Sequence, residues 1–173
     1  MSVSMDRLIN KLIAKIITRF PLLSRKFTAS YAPWKSLDIP WTPVTTALNN
    51  SKIAVVTTAG VHHKDQEPFN MKDRDGDPSY RVIDITRPLS SVMITHDYYD
   101  HADADRDINI VFPIERLKEF ENEGYIGHIA NFHYGFMGHI TGKHIPTLIN
   151  KSAPEVADRL KKDKVDIVLL TPG

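Results

Sequence analysis

The side chains best suited to chemistry fall in three short stretches of this sequence. The first, Ala59-Gly60-Val61-His62-His63, follows the apolar run Ile53-Ala-Val-Val and sets two imidazoles beside a flexible glycine. The second, running from His96 to Asp107, holds five aspartates and two histidines within 12 residues, with Tyr98 and Tyr99 among them. The third is His133-Tyr134-Gly135-Phe136-Met137-Gly138-His139. Imidazole titrates near neutrality, so His62, His96, His101 and His133 are the candidate proton donors and acceptors. Tyr99, Tyr134, His139 and Thr171 are the candidate substrate contacts.

Blander readings compete with these. Asp103 and Asp105 fit a solvated acidic loop, and Phe136 and Met137 fit the core. Gly60 after a first strand suits a phosphate loop, but the rest of a glycine fingerprint is missing. A metal-dependent hydrolase built on the His/Asp stretch is the weakest possibility, because no HExxH-type spacing occurs, and no metal site is assigned.

The elements that must position these residues are legible in outline. Short β-branched or apolar runs at 52–58, 80–85, 108–112, 126–132 and 165–170 predict strands. Ile53-Ala-Val-Val and Val165-Asp-Ile-Val-Leu-Leu are apolar almost throughout, as parallel strands buried on both faces are, so 165–170 is expected in the sheet interior. Pro113 opens a helix that sets Ile114, Leu117 and Phe120 on one face, and Gly124 stops it. Ser152-Ala-Pro-Glu155 has the capping-box pattern for a second helix that turns Val156 and Leu160 inward. Strands alternating with helices predict an α/β fold with a doubly wound, mostly parallel sheet. Ligands in such a sheet bind outside the carboxyl ends of the strands, where the three stretches would lie.

Residues 6–20 carry Leu8, Ile9, Leu12, Ile13, Ile16, Ile17 and Phe20 at helical spacing, with Arg7, Lys11, Lys15 and Arg19 opposite. This N-terminal amphipathic helix could pack on the body, on another subunit in a homo-oligomer, or as a peripheral contact on an anionic membrane. Residues 21–51, with four prolines and two tryptophans, read as an extended linker. The division expected is 1–40 for helix and linker and 41–173 for the α/β domain. A balance of 22 basic against 21 acidic residues excludes a nucleic-acid binder as the main reading. With no cysteine, disulfides and thiolate metal sites are excluded within this sequence. The lack of a secretory cleavage pattern or a long apolar run makes the cytoplasm the expected compartment.

Taken in order, WTPVT at Trp41, VVTTAGVH at Val55, SYR at Ser79, ITHDYYDH at Ile94, DINIVFPIERL at Asp107, HYGFMGH at His133 and the final VDIVLLTPG resemble the selenoprotein B family of glycine, sarcosine, betaine and D-proline reductases. The resemblance covers 41–173 and leaves out the first 40 residues. It implies reductive cleavage of a carbon–nitrogen bond beside the carboxylate of an amino acid or its N-methyl derivative. It also implies a partner subunit whose pyruvoyl group holds the substrate. In the family a selenocysteine, with a cysteine close after it, follows the strand matching 165–170. This sequence has neither, so it is expected to be the front portion of such a reductase, read up to a UGA codon and inactive without the redox pair. No cofactor is expected in the chain itself. The alternative is a non-catalytic carboxylate-binding or subunit-interaction module of the same fold.

Overall fold

A computed structural model describes residues 5–20 and 42–173, so 21–41 of the expected linker lie outside the described residues. The chain divides into two compact units. In the first, helix α1 (Met5–Arg19) accompanies the segment Asp97–Asp100, and Lys11 Nζ lies 3.4 Å from the carboxylate of buried Asp97. The helix buries Ala14 and leaves its apolar arc exposed, Leu8, Leu12 and Ile16 included.

The second unit, Thr46–His96 with His101–Gly173, is built on β1 (Lys52–Thr57). Its other strands are β2 (Val61–His63), β3 (Arg81–Asp84), β4 (Val92–Ile94), β5 (His128–Ile129), β6 (Phe132–Gly135) and β7 (Ile167–Thr171). β1 runs parallel to β5, β6 and β7, and β3 closes the far side antiparallel to β6. The backbone bonds of β1 sort by parity, as a parallel ladder requires. The carbonyls of Ser51, Ile53 and Thr57 accept from the β5–β6 side, whereas Lys52 and Thr58 bond to the β7 side. The fold is thus mixed α/β with a mostly parallel sheet. β2 and β4 form a separate antiparallel pair.

Side-chain alternation along β1 feeds two cores. Ala54 joins Ala130, Tyr134 and Phe136 under Val156 and Leu160 of α3 (Ala153–Lys162). On the opposite face, Thr57 donates to Val111 O at 3.0 Å, and His133 meets the Phe112 ring edge-on at 5.5 Å. That face leads into α2 (Ile114–Asn122), whose Ile114 and Leu117 are buried as their spacing predicts.

Several expectations are corrected. Residues 108–112 do not form a strand: the Asp107 carboxylate accepts from the Asn109 N–H and starts a tight turn at Ile108–Ile110. The expected strand 126–132 is broken into β5 and β6 and runs further, to Gly135. Ser152 caps nothing. It has helical angles (φ −65°, ψ −44°) inside a continuous helical stretch, after a π turn at Leu148–Ser152. Pro154 explains the wide turn, because it has no N–H to offer the carbonyl four residues back. β2 and β4 are not legible in the sequence, since three residues are too few to show an alternation.

The last strand also differs from expectation. Among the described residues β7 pairs only with β1, which places it at the sheet's edge, with Val168, Leu169 and Leu170 at 37%, 38% and 72% exposure. A run apolar throughout reads as interior; here its outer edge has no strand beside it.

Candidate active site at the carboxyl edge

Four strand exits are tied together at one edge of the second unit. Thr58 N–H donates to Thr171 O at 2.9 Å, joining the ends of β1 and β7. Gly60 N–H donates to Phe136 O and Gly60 O accepts from Thr95 N–H, both at 2.9 Å, which adds the exits of β6 and β4. Gly60 has φ +74°, and a Cβ there would stand 2.4 Å from Thr95 O. Its glycine therefore serves a close crossing of backbones, and the phosphate-loop reading is not needed. Thr57 and Thr171, opposed across β1 and β7, both donate to Val111 O, at 3.0 and 2.7 Å.

His96 stands at the centre of this edge. It is 3% exposed, and its Nε2 accepts from Gly138 N–H at 3.2 Å, so the neutral ring carries its proton on Nδ1. A Cβ on Gly138 would lie 3.0 Å from Thr58 O, 3.3 Å from Gly173 O and 3.3 Å from His96 Nε2. One space of methyl size is thus bounded by three loops and an imidazole. Gly173 packs so closely that a Cβ on it would be 2.2 Å from Ala59 Cα.

His62 lies one residue away through Thr95. Its Nδ1–H donates to His63 O at 2.7 Å and its Nε2 accepts from Thr95 Oγ1 at 2.8 Å. Desolvation holds its pKa below the ordinary value. His63 is equally buried: Nε2 accepts from Asp84 N–H at 3.0 Å, so Nδ1–H donates to Ser91 Oγ at 3.0 Å, and desolvation again lowers its pKa. Both rings cross-link β2 to its neighbours as neutral imidazoles.

His133 is inside the sheet, at the second position of β6, and not at a strand end. Between the pairs Ile53–Ile129 and Val56–Tyr134, β1 advances three residues and its neighbour five. In this bulge Asn131 O turns away to accept from Ile85 N–H at 3.0 Å. Val55 N–H, left without a backbone acceptor, donates to His133 Nδ1 at 2.8 Å. The ring is fully buried, its Nε2 has no hydrogen-bond partner, and desolvation pushes its pKa down to about 4.

The remaining candidates are placed apart. Tyr134 is core, edge-to-face with Tyr80 at 6.0 Å, and burial raises its pKa. His101 Nδ1 pairs with Asp105 Oδ2 at 2.8 Å. His139 Nε2 donates to Arg74 O at 2.9 Å. Tyr99 belongs to the first unit. The edge therefore gathers His96, Thr171 and, one residue removed, His62. The sequence offers Gly138 only as a mobile backbone position, and nothing in its neighbours' types shows the approach of His96. Among the described residues no group of three or more His, Asp or Glu is placed to hold a metal ion.

A family model for glycine/sarcosine/betaine reductase selenoprotein B matches residues 2–173. The chain belongs to that family. The match starts at residue 2, so α1 falls within the family's extent even though the motif resemblance began at Trp41. D-proline reductase subunit gamma of Acetoanaerobium sticklandii is 41% identical over 133 residues, which is 77% of this chain and 53% of that one. A glycine reductase complex component B subunit gamma of Symbiobacterium thermophilum is 30% identical over 87% of this chain and 35% of its own length. A sarcosine reductase complex component B subunit beta of Peptoclostridium acidaminophilum is 29% identical over 97% and 36%. The chain thus spans about half the length of the first of these relatives and about a third of the others. No solved structure matches it. No described helix is long and apolar enough to cross a membrane.

Proposed function

We propose that this chain is the front portion of a selenocysteine-dependent reductase subunit that cleaves the C–N bond of an amino acid or N-methyl amino acid, with the redox pair following Gly173. One observation carries the reading. β7 delivers Gly173 against Ala59 and Gly138, where His96 Nε2 also points. A side chain at the next position of the chain would emerge at that edge. The apolar side chains exposed on β7 are suited to cover by a following segment.

The reduction adds two electrons and two protons, so that a carbon–nitrogen bond becomes a C–H and an N–H bond. The electrons come from the selenol and thiol, which end as a selenium–sulfur bond reset by a dithiol donor. A pyruvoyl group on a partner subunit would hold the substrate. In this chain His96 Nε2, which Gly138 N–H holds as an acceptor, takes a proton released by the selenol or thiol and passes it to the departing amine, and Thr57 and Thr171 anchor the strand end through Val111 O. His62 and His133 serve the scaffold.

The test is to sequence the nucleotides after codon 173 and express the frame through them with Sec or Cys at the redox position. An in-frame UGA with a Cys codon shortly after it, and amine release with the partner subunit and dithiol, is the expected result. The Cys form should be slower, thiolate being the poorer nucleophile. A UAA or UAG codon, or reductase turnover by residues 1–173 alone, would overturn the reading and favour a non-catalytic module.

A further inference from the structure

β4 ends at Ile94, and with it the register Val61–Ile94, His62–Met93 and His63–Val92. The next residue, Thr95, is still tied to the β2 side. Its N–H donates to Gly60 O at 2.9 Å, and its Oγ1 lies 2.8 Å from His62 Nε2. His62 stands opposite Met93, so Thr95 is its diagonal neighbour two residues on, within reach of a ring side chain.

The direction of that second bond is fixed. His63 O can only accept, so His62 Nδ1 carries the proton of the neutral ring and Nε2 accepts from the Thr95 hydroxyl. His62 is buried and sits edge-on against Phe69 at 5.9 Å, so the acceptor is itself held. Thr95, β-branched and stiff at χ1, is gripped by main chain and side chain at once. His96 follows directly. Its Nε2 takes the Gly138 N–H at 3.2 Å, the long end of the range for such a bond, and a drift of about 0.3 Å would break it. The backbone before it has little room toward β2: a Cβ on Gly60 would be 2.4 Å from Thr95 O and 3.2 Å from His96 Cβ.

We propose that Thr95 is a positioning residue for His96: held by His62 and Gly60, it sets the backbone from which the imidazole meets Gly138 N–H. His62 thereby acts on this edge at one remove, without touching reacting atoms. The use of an aimed ring rests on the reductase reading; the aiming itself is measured without turnover. Failure of the reductase reading would show in the codons and in amine release, failure of this one in the resonances of the unreacting protein.

The experiment is NMR of the 15N-labelled chain, reading the His96 ring nitrogens and the exchange of the Gly138 amide. Thr95→Val keeps the shape and removes the hydroxyl; it should shift the His96 Nε2 resonance and speed Gly138 exchange about tenfold. His62→Phe should do the same, and the double variant no more than either alone, because one bond is lost in all three. Thr95→Ser, which retains the hydroxyl, should keep both signals near wild type. Ser91→Ala is the control, since it removes a bond to the His63 ring in the same β2–β4 pair without touching Thr95, and it should leave His96 and Gly138 as they are. Slow exchange at Val55 will show that a variant is folded, and either Thr95→Val or His62→Phe suffices should the other not fold. An unmoved His96 ring in the folded variants would overturn the proposal. So would a Ser91→Ala shift as large as theirs, the mark of a general loosening of the pair.

Discussion

Replacing His133 tests whether an imidazole stands in for a missing backbone acceptor. Its Nδ1 takes the Val55 N–H at 2.8 Å, inside a core where the ring is fully buried. The folded pKa, about 4, is below the ordinary value of 6.5 because burial penalises the charged ring. Between those two values the unfolded chain binds a proton that the folded chain does not. The stability from the neutral ring is therefore complete above pH 6.5 and is lost as the pH falls toward 4. The shift corresponds to about 3 kcal/mol across the window. Asparagine offers an amide oxygen in place of Nδ1 and does not titrate. His133→Asn should cost about 1–2 kcal/mol at neutral pH for its smaller volume, and His133→Ala about 3–5 kcal/mol because Val55 N–H is also left unpaired. Urea unfolding followed by circular dichroism at about pH 7.5 and about pH 4.5 reads both effects. Wild type should lose about 2–3 kcal/mol more than the Asn variant on acidification, since His62 and His63 contribute equally to both proteins. Equal losses, or an Ala variant as stable as the Asn variant at pH 7.5, would refute the reasoning.

Three other outcomes follow from the same geometry. Gly60→Ala would put a Cβ 2.4 Å from Thr95 O at φ +74°, and should cost about 2–4 kcal/mol in urea unfolding; a smaller loss than Ala introduced at Gly124, which faces open space, would contradict the close-crossing account. Gly138→Ala meets its neighbours at 3.0–3.3 Å, so stability should change by no more than about 1 kcal/mol while the His96 imidazole 15N resonances shift; unchanged resonances would separate the two residues. Asp73 is held well below the carboxylate range by Lys143, by the Asp75 N–H and by His144, a contribution present above pH 3.8 and lost as the pH falls below it. Asp73→Asn should speed amide exchange at Thr141 and Gly76 but leave Val55 slow, as measured by hydrogen-exchange NMR.

β1 and α2 could be read from residue order because their signals are local. A short, β-branched apolar run fits a strand covered on both faces, and Ile114 and Leu117 share a face whatever lies opposite. The series of motifs likewise named the family without any coordinates, since it depends on identity and order alone. The histidines were different. His62, His96 and His133 are one residue type in similar stretches, yet they became a cross-link, a ligand of Gly138 N–H and a plug in a ladder. Each outcome depends on a partner at least 33 positions away. An imidazole's role is set by which distant donor or acceptor the fold brings to its two nitrogens, and by how much water burial removes. The residue types determined that proton chemistry was available at this edge; only the crossing of β1, β4, β6 and β7 decided which ring would face it.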